Sequence, residues 1–178
     1  MKKSITENFI YNMLYQVFVT ALPILTTPYI ARVLGLHANG IHSYTEGIVT
    51  YFMLLGALGT AMYGTRKIAY ERNDLGKMTQ SAWEIILLRF ILLGITLGAY
   101  VITLCINNEY AYIYRIQIIN ILATAIDISW FFQGVEDFKK VTLRNMIVKF
   151  VYVICLLVFI KEPEDLQWYV LLVVGSAF

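Results

Sequence analysis

Five long apolar blocks, separated by short polar segments, restrict how this sequence can fold more than any other feature. They run over residues 9–34, 40–63, 82–106, 110–132 and 146–160. A helix of about 20 apolar residues crosses the roughly 30 Å hydrocarbon core of a bilayer, and these blocks lack the periodic polar face of a soluble helix. The sequence therefore predicts an all-α integral membrane protein with about five full transmembrane helices.

A sixth apolar block, residues 168–178, is too short to cross the bilayer. As a helix it would extend about 16 Å, roughly half of the hydrocarbon thickness. We therefore expect the sixth helix to be incomplete, and residues 1–178 to form a partial N-terminal transmembrane lobe.

The composition agrees with a membrane protein and argues against several classes of function. Apolar residues make up 59% of the chain and charged residues 15%, whereas soluble domains contain about 45–50% and 25%. The formal net charge is only +2 and the basic residues are dispersed, which argues against a nucleic-acid partner. Phosphate-binding, nucleophile-elbow and zinc-protease motifs are missing, which argues against an ATPase or a hydrolase. Cys105 and Cys155 lie inside apolar blocks and are expected to be core residues.

The segments between the blocks are predicted to be turns and loops. Residues 35–39 are expected to form a tight turn, and the highly charged residues 65–77 a loop in water. A second basic loop is expected at residues 134–145. Pro23 and Pro28 should bend the first helix, because each removes a backbone donor.

The distribution of basic residues predicts the orientation of the chain, because cytoplasmic loops carry an excess of Lys and Arg. With a cytoplasmic N-terminus, ten basic residues lie on the cytoplasmic side: Lys2, Lys3, Arg66, Lys67, Arg72, Lys77, Lys139, Lys140, Arg144 and Lys149. The outer side has Arg32, Arg115 and Lys161. The remaining cation, Arg89, lies within the membrane. We expect Lys149 to extend its ammonium group back toward the basic loop.

Ionisable side chains at membrane depth are the strongest candidates for a functional site, because each costs about 2.5–3.5 kcal/mol unless it meets a partner or a water-filled cavity. Five residues are predicted to lie at this depth: Arg32, Glu46, Glu84, Arg89 and Asp127. Glu84 is close enough to a helix end to reach the interface. Arg89 and Asp127 lie equally far from the turn near Asn108, so antiparallel helices place them at one level. We predict a buried ion pair between them.

Two interpretations of Arg89 and Asp127 remain open. The pair could lock two helices together without any role in transport. Alternatively, Arg89 could face an aqueous cavity and hold an anionic headgroup through bidentate, charge-assisted hydrogen bonds. Asp127 would then tune the arginine or carry a coupling proton.

A second group of polar residues flanks the predicted outer turn. A pair between Arg32 and Glu46 is possible there, and the alternative is an interfacial arginine that meets any nearby carboxylate. His37 and His42 lie beside the same turn without a cysteine or a carboxylate cluster. We interpret them as loop histidines and expect no metal site.

Four segments give the chain a resemblance to a known family. They are NMLYQ at 12–16, PYIARVLG at 28–35, GTRKIA at 64–69 and DISWFFQG at 127–134, the last followed by Glu136 and Phe138. In this order and spacing they resemble the bacterial oligosaccharide flippases that move O-antigen, capsule or exopolysaccharide repeat units, a branch of the superfamily of multidrug and toxin extruders. The resemblance covers essentially the whole chain.

The resemblance implies a MATE-like helical bundle, in which two six-helix lobes enclose a cavity that opens alternately to each side. This chain would supply most of the first lobe only, so the second lobe would be missing from it. The implied substrate is a polyprenyl-pyrophosphate-linked oligosaccharide, moved among membrane lipids from the inner to the outer leaflet of the bacterial inner membrane, without a cofactor or covalent chemistry. Arg32, Arg66 and Arg89 match the cations of such a cavity. Asp127 and Glu46 are candidates for ion coupling or ion pairing.

Two other functions remain open on the sequence alone. A cation or drug extruder of the same superfamily would favour acidic and aromatic groups over arginine in its cavity. The membrane domain of an enzyme acting on lipid-linked sugars would carry a carboxylate or histidine cluster in a membrane-facing loop. The loops contain scattered acids such as Glu71 with Asp74, which makes the enzyme the weaker alternative.

Overall fold

In the computed structural model, every regular element within residues 5–106 and 108–176 is a helix. These ranges are the part of the chain that the structure describes, with side chains described at 13–106, 108–137 and 141–176. The elements in chain order are α1 (Ile5–Val33), α2 (Gly35–Ala57), α3 (Thr60–Glu71), α4 (Leu75–Leu104), α5 (Ala111–Ile126), α6 (Ser129–Gly134), α7 (Phe138–Phe159), a 3₁₀ turn (Pro163–Asp165) and α8 (Leu166–Gly175). Lys2 and Lys3, and the side chains of Lys139 and Lys140, lie outside the described residues.

Five segments are long and apolar enough to cross a membrane. They are Met13–Val33, Gly35–Glu71, Leu75–Leu104, Ala111–Gly134 and Val141–Phe159. Helices are suited to this environment because all their backbone hydrogen bonds are made within the segment. The predicted all-α integral membrane fold is therefore confirmed.

The turn between α1 and α2 is much shorter than the sequence indicates. A single break at Leu34 separates the two helices, and Gly35 begins α2 with a φ of +76°. Glycine adopts this left-handed conformation without steric cost, so one residue is enough to redirect the chain. The prediction of a turn over residues 35–39 was wrong, and His37 and His42 are helical rather than loop residues.

Most of the charged stretch at 65–77 is also helical, contrary to prediction. The second span breaks at Leu58 and Gly59, both with left-handed φ, and then continues as α3 as far as Glu71. Lys67 and Glu71, one turn apart with 2.7 Å between Nζ and Oε1, support the polar end of α3. Asp74 caps α4 by accepting a hydrogen bond from the backbone of Lys77 at 3.2 Å. The connection shrinks to residues 72–74.

The predicted basic loop at 134–145 is shortened in the same way. Helix α7 begins at Phe138, eight residues before the predicted start at 146, which leaves 135–137 as the connection. Arg144 is therefore a helical residue. The fourth span is interrupted at Asp127, whose ψ of 114° is extended, and resumes at Ser129 as α6.

Close helix packing holds the short helix α6 against α3. A Cβ on Gly64 would overlap the Trp130 ring, and a Cβ on Gly134 would lie 2.7 Å from Cβ of Ile68. Thr65 adds a hydrogen bond from Oγ1 to the backbone oxygen of Trp130, at 3.2 Å.

The element order gives the bundle two ends. We call one the basic end, where connections 72–74 and 135–137 lie. At the opposite end the chain passes from α4 to α5 and from α7 to α8.

Candidate functional site

Arg89 lies in α4 with only 4% of its surface exposed. Its Nη1 donates a hydrogen bond of 2.8 Å to the backbone oxygen of Asp127, at the end of α5. The two residues do meet at one level, but the predicted ion pair between their side chains is replaced by this contact. The guanidinium satisfies a carbonyl that the end of a helix leaves without an intrahelical partner.

The carboxylate of Asp127 faces Arg144 instead. Its Oδ1 accepts hydrogen bonds from the backbone nitrogen of Ser129 at 3.1 Å and from the Ser129 hydroxyl at 2.5 Å. Arg144 Nη2 lies 3.0 Å from that hydroxyl and 3.9 Å from Asp127 Oδ1. The helix break thus directs the backbone of Asp127 to one arginine and its side chain to another.

Arg144 and Asp127 open onto a cavity of about 210 Å³ between α1, the helix break, α7 and α8. We call it the Arg144 pocket. Its lining residues are mostly polar: Tyr15, Asp127, Ser129, Arg144, Asn145, Val148, Lys149 and Ser176.

A second cavity, of about 330 Å³, lies farther along the same helices toward the opposite end. We call it the His42 pocket. Apolar residues and threonines of α1 form one wall, and the polar lining consists of His42, Glu46, Lys149, Tyr152, Tyr169 and Ser176. Lys149 and Ser176 line both cavities, so the two pockets adjoin at these residues. We call the two adjoining pockets together the polar cleft.

Lys149 lies at the junction of the two pockets rather than at the basic end. Its Nζ donates a 3.1 Å hydrogen bond to Oγ of Ser176 in α8 and lies 5.9 Å from the centroid of the Tyr152 ring. Its partner is thus a hydroxyl within the bundle, and its extension toward the basic loop stays a prediction. The hydroxyl and the ring replace part of the water that a membrane-depth ammonium loses.

Glu46 pairs with His42, not with Arg32. The Nε2 of His42 is 3.2 Å from Oε2 of Glu46, one helical turn away. His42 is 4% exposed, and its ring meets that of Tyr169 edge to face at 4.8 Å. Arg32 is exposed, and the structure places no ion pair between it and Glu46 among the described residues.

The remaining predicted site residues lie outside the cleft. Arg66 is exposed on α3 near the basic end, and Glu84 is exposed on α4, where it accepts a 2.8 Å hydrogen bond from Nε2 of Gln80. Neither pocket is lined by Arg32, Arg66 or Arg89. Contact between these three arginines and a substrate stays a prediction.

Sequence reasoning missed the contribution of α7 to the cleft. Arg144, Lys149 and Tyr152 fall within about 140° of arc on an ideal helix and so share one face. The signal was present, but placing the helix start at 146 assigned Arg144 to a loop. The spacing of His42 and Glu46, four residues apart in the predicted second block, was another signal. It was missed because His42 was interpreted as a loop histidine and Glu46 was paired with Arg32.

Neither cysteine is among the residues that line the cleft. Cys105 is buried where α4 ends, and Cys155 is half-buried in α7, both as free thiols. Burial raises the pKa of the Cys105 thiol and so disfavours the reactive thiolate. Within the described residues, no group of three His, Cys, Asp or Glu side chains is arranged to hold a metal ion.

The fold and the cleft together define a multi-pass α-helical membrane protein with ionisable side chains in a cleft between its helices. The chain belongs to the polysaccharide biosynthesis protein family, whose family model matches residues 5–178. This membership confirms the resemblance to polysaccharide repeat-unit flippases that the four sequence segments indicate.

Two curated relatives are similar to this chain. The first, from Escherichia coli (strain K12), is named "Putative O-antigen transporter" and is 27% identical over 168 residues, which cover 93% of this chain and 40% of the relative. The second, from Shigella dysenteriae, has the same name and is 26% identical over 170 residues, which cover 93% of this chain and 41% of the relative. The chain thus spans about two fifths of the length of these relatives. No solved structure matches it.

Proposed function

We propose that this chain is part of a transporter that moves lipid-linked oligosaccharide repeat units from the inner to the outer leaflet of the bacterial inner membrane, with its N-terminus in the cytoplasm. The observation that carries the proposal is the presence of Arg144 and Lys149 in one pocket, on the segment Val141–Phe159 that is long and apolar enough to cross a membrane. The names of the two relatives support transport rather than catalysis.

The cleft offers the groups that a pyrophosphate linkage requires. The planar guanidinium of Arg144 can donate two parallel hydrogen bonds to phosphate oxygens, and Lys149 adds a compact positive charge. Tyr15, Asn145 and Ser129 supply further polar contacts around Arg144. The Arg144 side chain is 44% exposed and lies 3.9 Å from the carboxylate of Asp127. A phosphate within hydrogen-bond distance would be a better partner for its guanidinium.

Transport of this kind needs no covalent step. A substrate moves a two-state equilibrium only through its differential affinity for the two states. Helix α1 lines the cleft and contains Pro23 and Pro28. Because proline has no backbone N–H, α1 lacks two helical hydrogen bonds and is the element most suited to bend. In this proposal the second lobe, of MATE-like topology, supplies the other half of the cavity.

A cation or drug extruder is the second candidate, because the His42 pocket combines Glu46 with Tyr152 and Tyr169. Acidic and aromatic side chains are what an organic cation would bind. The Arg144 pocket favours the first candidate, since a cationic ligand would be repelled by Arg144 and Lys149.

The test is outer-leaflet appearance of lipid-linked repeat units in cells that lack their own flippase and carry the full-length gene. Wild type should restore the repeat units, and Arg144→Gln should not, although it inserts and accumulates normally. Lys161→Gln is the control, because Lys161 is an exposed cation in the connection at the opposite end. Drug resistance without any repeat-unit transport would instead favour the extruder.

A further inference from the structure

His42 and Glu46 form a titratable pair inside the membrane that the proposed anion site does not use. The Nε2 of His42 contacts Glu46 at 3.2 Å, while its Nδ1 is buried without a hydrogen-bond partner. Glu46 is different, because its side chain is 47% exposed and lines the His42 pocket. The carboxylate is therefore open to water in the cleft and the imidazole is not.

We propose that His42 and Glu46 together bind one proton, and that this proton controls how strongly the cleft holds an anion. The proton comes from water in the cleft, reaches the exposed carboxylate of Glu46 and is shared with the imidazole of His42. The proposal rests on the proposed function, because it assigns a regulator to the same cleft. Histidine is the side chain whose charge changes nearest to neutral pH.

The charges around the pair make this coupling specific. Lys149 and Tyr152 face the pocket from α7, and Tyr169 faces it from α8. The α1 side chains that line the pocket are uncharged: Val19, Leu22, Pro23, Thr26, Thr27 and Ile30. From α5 the uncharged amide of Gln117 contacts α2 beside the pair, with its Nε2 3.3 Å from Oγ1 of Thr45. Lys149 is thus the cation whose charge the pair can modulate.

The charge balance of the cleft explains why an anion would bring a proton with it. With His42 neutral, the two cations Arg144 and Lys149 are balanced by the two carboxylates of Asp127 and Glu46. An anion entering this cleft would leave a net negative charge in a medium that solvates it poorly. One proton makes the pair neutral overall, whether it lies on the carboxylate or on the imidazole, and so frees Lys149 to hold the anion.

Linkage makes the coupling reciprocal, so it can be measured from either side. If protonation strengthens anion binding by some factor, anion binding strengthens proton binding by the same factor.

The chain offers a control for the histidine. The 178 residues contain two histidines, and His37 is exposed on the same helix. His37→Gln is therefore a matched control for His42→Gln.

The experiment measures binding of UDP-glucose, a soluble pyrophosphate diester of constant charge over this range, to the full-length protein in nanodiscs between about pH 5.5 and pH 8. Wild type and His37→Gln should bind UDP-glucose about tenfold more weakly at the higher pH. A tenfold change in affinity corresponds to a rise of about one unit in the pKa of the His42–Glu46 pair when the anion binds. His42→Gln should bind weakly at every pH. Glu46→Gln, which carries no negative charge, should bind tightly at every pH.

Each outcome decides the proposal. Binding by wild type with no dependence on pH overturns the proton site and leaves the proposed function standing, whereas no binding at any pH contradicts both. If His42→Gln does not fold, the NMR titration of the His42 ring in wild type replaces it. The pKa of His42 must then rise when UDP-glucose is added, and an unchanged pKa overturns the proposal.

Discussion

At the break between α5 and α6, two arginines approach Asp127 in different ways. Arg89 is buried and donates to a backbone oxygen, whereas Arg144 is 44% exposed and lines the cleft. Both lie within reach of Asp127, which is why the sequence alone predicted the wrong partner. The distinction depends on the extended backbone at Asp127, which no residue pattern in the fourth block indicates.

Arg89→Met tests the structural role. We expect it to lower the free energy of unfolding by about 1–3 kcal/mol, because the backbone oxygen of Asp127 loses its donor. Thermal unfolding of the full-length protein in detergent measures this loss. UDP-glucose affinity should stay near the wild-type value. A loss of affinity as large as that of Arg144→Gln would instead support the sequence-based prediction that Arg89 binds substrate.

Asp127→Asn tests the competition for Arg144. The amide keeps an oxygen that can accept the backbone hydrogen bond of Ser129 but removes the charge 3.9 Å from Arg144 Nη2. Because this pair is partly exposed, we expect UDP-glucose to bind only about two- to fivefold more tightly. Isothermal calorimetry measures the change, and Asp74→Asn, at an exposed helix cap, serves as the control. Weaker binding would mean that Asp127 orients Arg144 rather than competing for it.

Whole helices were easier to predict than their ends. The five apolar blocks located five spans because the bilayer leaves a long apolar segment no alternative to a helix. The ends were wrong because helices run past the apolar blocks into charged sequence, as α3 does as far as Glu71 and α7 does from Phe138. The error carried into the candidate site, since Arg144 lies in the segment 134–145 that was predicted to be a loop.

The contact between α3 and α6 predicts a large effect from one small change. A methyl group on Gly64 would overlap the Trp130 ring, and we expect Gly64→Ala to destabilise the protein by about 1–3 kcal/mol. Gly47→Ala is the control, because a Cβ there meets nothing within 4 Å and alanine favours the helix by about 1 kcal/mol. The melting temperatures in detergent should therefore move in opposite directions. A Gly64→Ala variant as stable as wild type would show that the ring can move aside.

In the connection between α7 and α8, the carboxyl of Asp165 should make the stability of the fold depend on pH. Asp165 accepts backbone hydrogen bonds from Lys161 at 2.9 Å and Glu162 at 3.1 Å, and these lower the pKa of its carboxyl. Asp165 therefore contributes to stability at pH values above the pKa of its carboxyl in the unfolded chain, about 3.9. This contribution is lost as the pH falls through the lower pKa that the carboxyl has in the folded protein. The melting temperature of Asp165→Asn should fall less than that of wild type on acidification below about pH 4.

At the scale of the whole molecule, the basic and opposite ends give the cleft a direction. The Arg144 pocket lies nearer the basic end and the His42 pocket farther along the same helices, with Lys149 between them. An anion that enters from the basic end would meet Arg144 first and Lys149 next. This order serves export only if the basic end faces the cytoplasm, as the excess of Lys and Arg there predicts.

Labelling of single cysteines in intact cells tests that orientation. In a variant of the full-length protein from which every cysteine has been removed, Asn73→Cys places a thiol in the connection at the basic end and Glu164→Cys places one at the opposite end, both at exposed positions. We expect a membrane-impermeant maleimide to label Glu164→Cys in intact cells, and Asn73→Cys only after the membrane is opened. The reverse pattern would place the basic end outside, and the order of cations in the cleft would then serve import rather than export.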